Sequence, residues 1–138
     1  MFTGVETHHL LIGAVIALAV AAAASLHIST QSKARRVVRG RSPLTAAEFA
    51  ALFPNVAEAA LAPAIRDRLR AYIPVHPALV HPDDKLCEDL QLAAIDGLDA
   101  NAFLADVAKA VGMTISDWDA QNMLTLRDIV SYVAEHKQ

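Results

Sequence analysis

The chain holds one cysteine, Cys87, among 138 residues, which excludes a disulfide framework and a cysteine-built zinc site within one copy. Aromatic residues make up only 5%, and no stretch alternates apolar and polar residues over a useful strand length. A β-sandwich is therefore a poor expectation, and an alanine- and leucine-rich helical fold a good one. Basic residues are also few: 12 Lys and Arg stand against 15 Asp and Glu, for a net charge of -3. That balance excludes the lysine/arginine face of a nucleic-acid binder. The sequence has no glycine-rich phosphate loop, no Gly-x-Ser-x-Gly elbow and no His-Glu-x-x-His metal arrangement. What it has in quantity is apolar residues, 54% of the chain, and their concentration near the N-terminus lifts the mean hydropathy to +0.33.

From Leu10 to Leu26 the residues read LLIGAVIALAVAAAASL, without a charge. Extended to Ile28 this is a run of 19 residues. At about 1.5 Å per residue it matches a hydrocarbon core of about 30 Å, so a transmembrane helix is predicted over residues 10–28. A cleavable signal peptide is the competing reading, since Ala22, Ala23 and Ala24 precede Ser25. The flanks favour the anchor: residues 1–9 carry only Glu6 and two histidines, with no Lys or Arg, and Lys33, Arg35, Arg36, Arg39 and Arg41 follow the apolar run. By the positive-inside tendency this places residues 1–9 outside a cell (inner) membrane and the C-terminal part in the cytoplasm. Gly13, Ala17, Ala21 and Ser25 repeat every four residues, a small-residue face that suits a second membrane helix, another copy of this one included. The abundance of alanine produces such stripes by chance as well.

Residues 29–43 form a basic juxtamembrane linker whose Lys33, Arg35, Arg36, Arg39 and Arg41 suit anionic lipid headgroups. Charge divides sharply along the chain. Residues 29–82 hold eight Lys/Arg against three Asp/Glu, whereas residues 83–138 hold four against eleven.

Residues 44–138 suffice for one small core, and their punctuation predicts an all-α, antiparallel helical bundle. Thr45 with Glu48 is a capping box and Leu44 with Phe49 a hydrophobic staple, which starts a helix running to Phe53. Asn55 and Glu58 open a second helix, on which Leu61, Ile65, Leu69 and Ile73 make one apolar stripe ending before Pro74; Pro63 either begins its main part or kinks it. The stretch IPVHPALVHPDDKL is a long loop. Asp96 and Asp99 bracket the start of the next helix, which buries Phe103, Leu104, Val107, Ala108 and Val111 and stops at Gly112. Ser116 and Asp119 cap a short helix carrying Trp118. Thr125 and Asp128 cap the last, with Leu126, Ile129, Val130 and Val133 inward.

From about residue 65 this order resembles an acyl carrier protein. The matching features are a first helix, a long loop closing on Pro82-Asp83-Asp84-Lys85-Leu86 and Glu88-Asp89-Leu90, a second helix, a short third, and a last helix after Leu124-Thr125. That family carries Asp-Ser-Leu before its second helix, the serine bearing a phosphopantetheine arm. Here Asp96-Gly97-Leu98 stands at that place, after three extra residues, and it is similar to acyl-carrier-like bacterial domains of unknown function with Asp-Gly there. The resemblance implies the family's shape without its cofactor, because Gly97 has no hydroxyl. Thr114 and Ser116 lie beyond the second helix, and Cys87 reads as a small buried loop residue.

Asp83, Asp84, Glu88 and Asp89 lack an EF-hand's spacing and read as a solvated acidic loop; His8, His9, His76 and His81 form no metal pattern. No metal, no cofactor and no catalysis are expected. The reading that remains is a noncatalytic, membrane-anchored adaptor or accessory subunit in a membrane complex. Asp99, Ala100 and Ala102 on the second carrier-like helix are one candidate partner surface. Phe49 and Phe53 are another, unless they pack onto the bundle. The alternative is a membrane-tethered acyl or peptidyl carrier modified at a non-standard residue.

Overall fold

The computed structural model describes residues 12–22, 33–92 and 98–137. Contacts divide the chain into two compact units, Met1–Ser32 and Lys33–Gln138. In the first unit residues 12–22 are helical, with Ile12, Val15, Ile16, Leu18 and Val20 exposed. Gly13, Ala17 and Ala21 are exposed on the same stretch, while Ser25 lies outside the described residues. The expected transmembrane helix over residues 10–28 is overturned: among the described residues no helix is long and apolar enough to cross a membrane. Eleven helical residues cover about 16 Å, roughly half of a hydrocarbon core.

The second unit is all-α, as expected, and starts earlier than the expected bundle. Residues 33–38 form α1, whose Ala34 and Val38 are buried, so the supposed linker contributes to the core. Gly40, at φ +79°, then reverses the chain. The elements that follow are α2 (Ala46–Ala50), α3 (Val56–Arg68), two single 3-10 turns (Leu69–Ala71 and Pro77–Leu79), α4 (Leu98–Val111), α5 (Asp117–Ala120) and α6 (Leu126–His136).

The starts are where local chemistry puts them. Thr45 accepts from the Glu48 N–H while the Glu48 carboxylate receives the Thr45 N–H, and Thr125 with Asp128 repeats the arrangement. Asn55 Oδ1 accepts from Ala57 and Glu58, and Ser116 Oγ from Asp119. The ends agree less well. α2 stops at Ala50 and reaches Phe53 through tighter i to i+3 bonds, from Leu52 N to Phe49 O and from Phe53 N to Ala50 O. α3 runs through Pro63 and gives way to a 3-10 turn at Leu69; Leu69, in that turn, and Ile73, just beyond it, are still buried. α4 ends at Gly112, φ +73°, where Met113 N–H bonds Ala108 O in a Schellman-type closure.

α3 packs mainly against α6 and α2. Ala62, Ile65 and Leu69 of α3 and its 3-10 extension, Phe103 and Val107 of α4, and Leu126, Ile129, Val130 and Val133 of α6 form one core with Phe49 and Phe53. The long loop closes this core: Val80, Leu86, Leu90 and Leu92 are buried in it. Gln91 sits at φ +60°, which costs a non-glycine residue on the order of 1 kcal/mol and brings Leu90 and Leu92 to the same interior. The loop is laced to the start of α6 by Leu86 N to Leu124 O and Arg127 N to Pro82 O, with a single antiparallel bridge between Lys85 and Thr125.

Candidate functional site: the α5–α6 groove

The carboxylates of the acidic loop are structural. Asp84 is buried and takes both arms of Arg41, at 2.6 and 2.9 Å, as well as the His81 N–H; Arg41 also donates to Leu79 O. These bonds raise the Arg41 pKa, the hydrogen bond to Asp84 being the main cause. Asp83 takes Arg127 at 2.7 and 3.2 Å, and that hydrogen bond lowers its pKa. Arg127 reaches on to Leu52 O and lies over the Phe53 ring at 5.1 Å, so one side chain joins the loop, α6 and the α2–α3 turn. Glu88 pairs with Lys85 Nζ and Asp89 accepts the Lys85 N–H. No group of three or more metal-binding side chains occurs among the described residues. His76 Nδ1 accepts from Ala78 N, capping the second 3-10 turn.

Arg41 is thus removed from the expected headgroup cluster, because its guanidinium is committed to Asp84; Lys33, Arg35, Arg36 and Arg39 are exposed on or just after α1. Phe49 and Phe53 do not form a partner surface. Phe49 is fully buried and the two rings pack 5.5 Å apart, with the Arg66 guanidinium over Phe49. On α4, Asp99 and Ala102 are exposed, whereas Ala100 leans on the core. Asp96 and Gly97 lie outside the described residues, and Leu98 opens α4. Cys87 is exposed rather than buried: the loop turns its flanking Leu86 inward in its place.

The concave feature the sequence does not announce lies along α5, the turn after it, and the outer face of α6. A groove of about 280 Å³ is lined by Asp119, Asn122, Met123, Asp128, Ser131, Tyr132 and Glu135. Its wall is held in place. Tyr132 donates to Asp119 Oδ2 at 2.9 Å, which raises the phenol's pKa; Ser131 donates to Glu58 on α3; and the Tyr132 ring stacks on His136 at 4.0 Å. Asp128 accepts from the Leu124 and Thr125 N–H groups. Two large apolar side chains, next in sequence to lining residues, face solvent: Trp118 is 75% exposed and Leu124 58%. The available signal was Trp118 itself, the chain's only tryptophan, placed two residues after the Ser116 cap on a helix too short to bury it.

Chemically the groove offers carboxylates, a phenol and a thioether, and the exposed indole of Trp118 is next in sequence to its Asp119, a mixture of the kind a protein side chain meets at an interface. No family model, curated protein or solved structure matches this chain.

Proposed function

We propose that the chain is a noncatalytic adaptor or accessory subunit that recognises a protein partner through the α5–α6 groove. The observation that carries this is the exposure of Trp118 on a fixed platform. Ser116 caps α5 from one end and Tyr132 holds Asp119 from α6, so the indole is presented without a large ordering cost. Buried phenylalanines show that this fold has a core for large rings; an indole left outside, on the short helix whose Asp119 lines the groove, has the character of an interface hot spot. The order α3, long loop, α4, short α5, α6 supports an acyl-carrier-like scaffold from about residue 65, used for recognition, with Gly97 where that family has its modified serine.

The test is affinity capture of the tagged full chain from its native cells, with stoichiometry and the intact mass of the bait read by mass spectrometry. The expected result is a partner at fixed ratio, a bait of unmodified mass, and a Trp118→Ala variant that folds but loses the partner by a factor of about 30 or more, the loss of about 2 kcal/mol typical of a hot spot. A bait heavier by a prosthetic group, with no stoichiometric partner, would overturn the adaptor reading in favour of a carrier.

A further inference from the structure

The cations of this chain are unevenly spread. Between Glu6 and Glu48 there is no Asp or Glu, and Lys33, Arg35, Arg36, Arg39 and Arg41 all fall in that interval. The fold sorts them. Ala34 and Val38, four positions apart on one face of α1, are buried, which leaves Lys33, Arg35 and Arg36 on its exposed side and Arg39 exposed just after it. Arg41 is withdrawn to Leu79 O and Asp84, and so ties the chain after α1 to the long loop. Arg70, Lys109 and Lys137 are also in no ion pair among the described residues, but each has an acid two or three positions away, at Asp67, Asp106 and Glu135. What sets α1 apart is density: four cations within seven positions, on a surface fixed to the core, and no acid among them.

We infer that this face of α1 docks the bundle on an anionic lipid surface. Any polyanion attracts four clustered cations; the stretch that precedes them selects the bilayer. Residues 10–28 carry no Lys, Arg, Asp or Glu, and on the described helix over residues 12–22 Ile12, Val15, Ile16, Leu18 and Val20 are exposed. Exposed aliphatic side chains gain nothing from a phosphodiester backbone. A bilayer takes both kinds of residue, aliphatics at its acyl boundary and cations at its headgroups, and contact with one leaflet is enough. Stable attachment takes two such signals, since one alone is marginal and reversible. Each cation near an anionic leaflet strengthens binding about fivefold. Because Ala34 and Val38 pack α1 into the bundle, its cations are presented without a large ordering cost and the bundle is oriented with them. The chain's net charge of -3 does not oppose this, as charges farther than about 8 Å from the headgroups are largely screened. The inference is independent of the α5–α6 groove.

The test is co-sedimentation of the full chain with vesicles of phosphatidylcholine alone and of phosphatidylcholine with about one-third phosphatidylserine, at physiological salt. The expected result is binding at least about 30-fold tighter to the anionic vesicles. Arg35→Gln with Arg39→Gln, both exposed, lowers that binding about 30-fold, two factors of about five, and leaves binding to neutral vesicles unchanged. Arg70→Gln with Lys109→Gln makes the same change in net charge at exposed sites away from α1 and lowers it less than about twofold. Both pairs are repeated in an Ile16→Asp, Val20→Asp background, which removes the apolar contribution from exposed positions. There anionic vesicles still bind, more weakly, and the Arg35 and Arg39 substitutions abolish the binding. Equal losses from the two Gln pairs, no preference for anionic vesicles, or no anionic binding in the Asp background would each overturn the inference. Binding of duplex DNA with none of vesicles would overturn it in favour of a nucleic acid. Partner capture reads Trp118 whereas vesicle binding reads Arg35 and Arg39, so the failure of one reading leaves the other standing.

Discussion

Replacing Arg41 by Met keeps the aliphatic stem and removes the charge, which isolates what the Arg41–Asp84 pair does. Asp84 has a side chain only 8% exposed, and after the substitution it retains one donor, the His81 N–H. Removing one partner of a buried ion pair costs about 3–5 kcal/mol, because the remaining charge is stranded. Arg41 is itself 25% exposed, so water enters the vacated place and rehydrates part of the carboxylate. The expected loss is accordingly about 2 kcal/mol, or roughly 8 °C in melting temperature for a unit of this size. Arg39, two residues away and exposed, is the control: Arg39→Met changes stability by less than about 0.5 kcal/mol. The assay is urea unfolding followed by circular dichroism. Adding Asp84→Leu to the Met variant recovers part of the loss, since no charge is then left buried. Equal effects of Arg41→Met and Arg39→Met would refute the reasoning and return Arg41 to the surface cluster.

Three further outcomes are expected. Phe49→Ala opens a cavity in the α2–α3–α6 core and lowers stability by about 3–4 kcal/mol in the same urea assay, whereas a surface role for Phe49 predicts almost none. Asp83 has a depressed folded pKa, so its contribution is present above the ordinary aspartate value of 3.8 and disappears as pH falls through the lower folded value; melting scans between about pH 5 and 2 show that loss in the parent and a smaller one in Arg127→Ala. Tyr132 has a raised pKa, so its hydrogen bond to Asp119 stabilises fully below the ordinary value of 10.0 and is lost as pH rises through the folded one. Asp119→Ala moves the ring's titration, followed by NMR, back toward that ordinary value.

Helix starts were legible because a cap is local: Thr45 with Glu48, Asn55 with Glu58, Ser116 with Asp119 and Thr125 with Asp128 each act within three residues. Gly112 was legible for the same reason, as a left-handed stop after an apolar stripe. The clamps were not. Arg41 and Asp84 are 43 positions apart, Arg127 and Asp83 44, and Arg127 and Leu52 75, and no spacing rule connects charges over such distances. For that reason an acidic loop held by two arginines read as a solvated one, and Arg41 as a lipid contact. Phe49 and Phe53 were open to two readings, packing onto the bundle as the commoner one and a docking surface as the other, because an apolar helix face does not say what covers it. Hydropathy counts residues in a window, while spanning needs one unbroken helix, and among the described residues none is long and apolar enough to cross a membrane. The groove went unseen because its lining comes from α5, a turn and one face of α6, and the one conspicuous residue, Trp118, is next in sequence to that lining rather than part of it.

The central claim, recognition through the α5–α6 groove, is tested most directly by amide hydrogen exchange on the full chain, free and in complex with its captured partner. The account predicts that protection gained on binding falls on residues 116–136, around Trp118 and Tyr132, with exchange in α4 unchanged. Protection gained instead along Asp99 to Ala102 on α4, with none in α5 or α6, would contradict it.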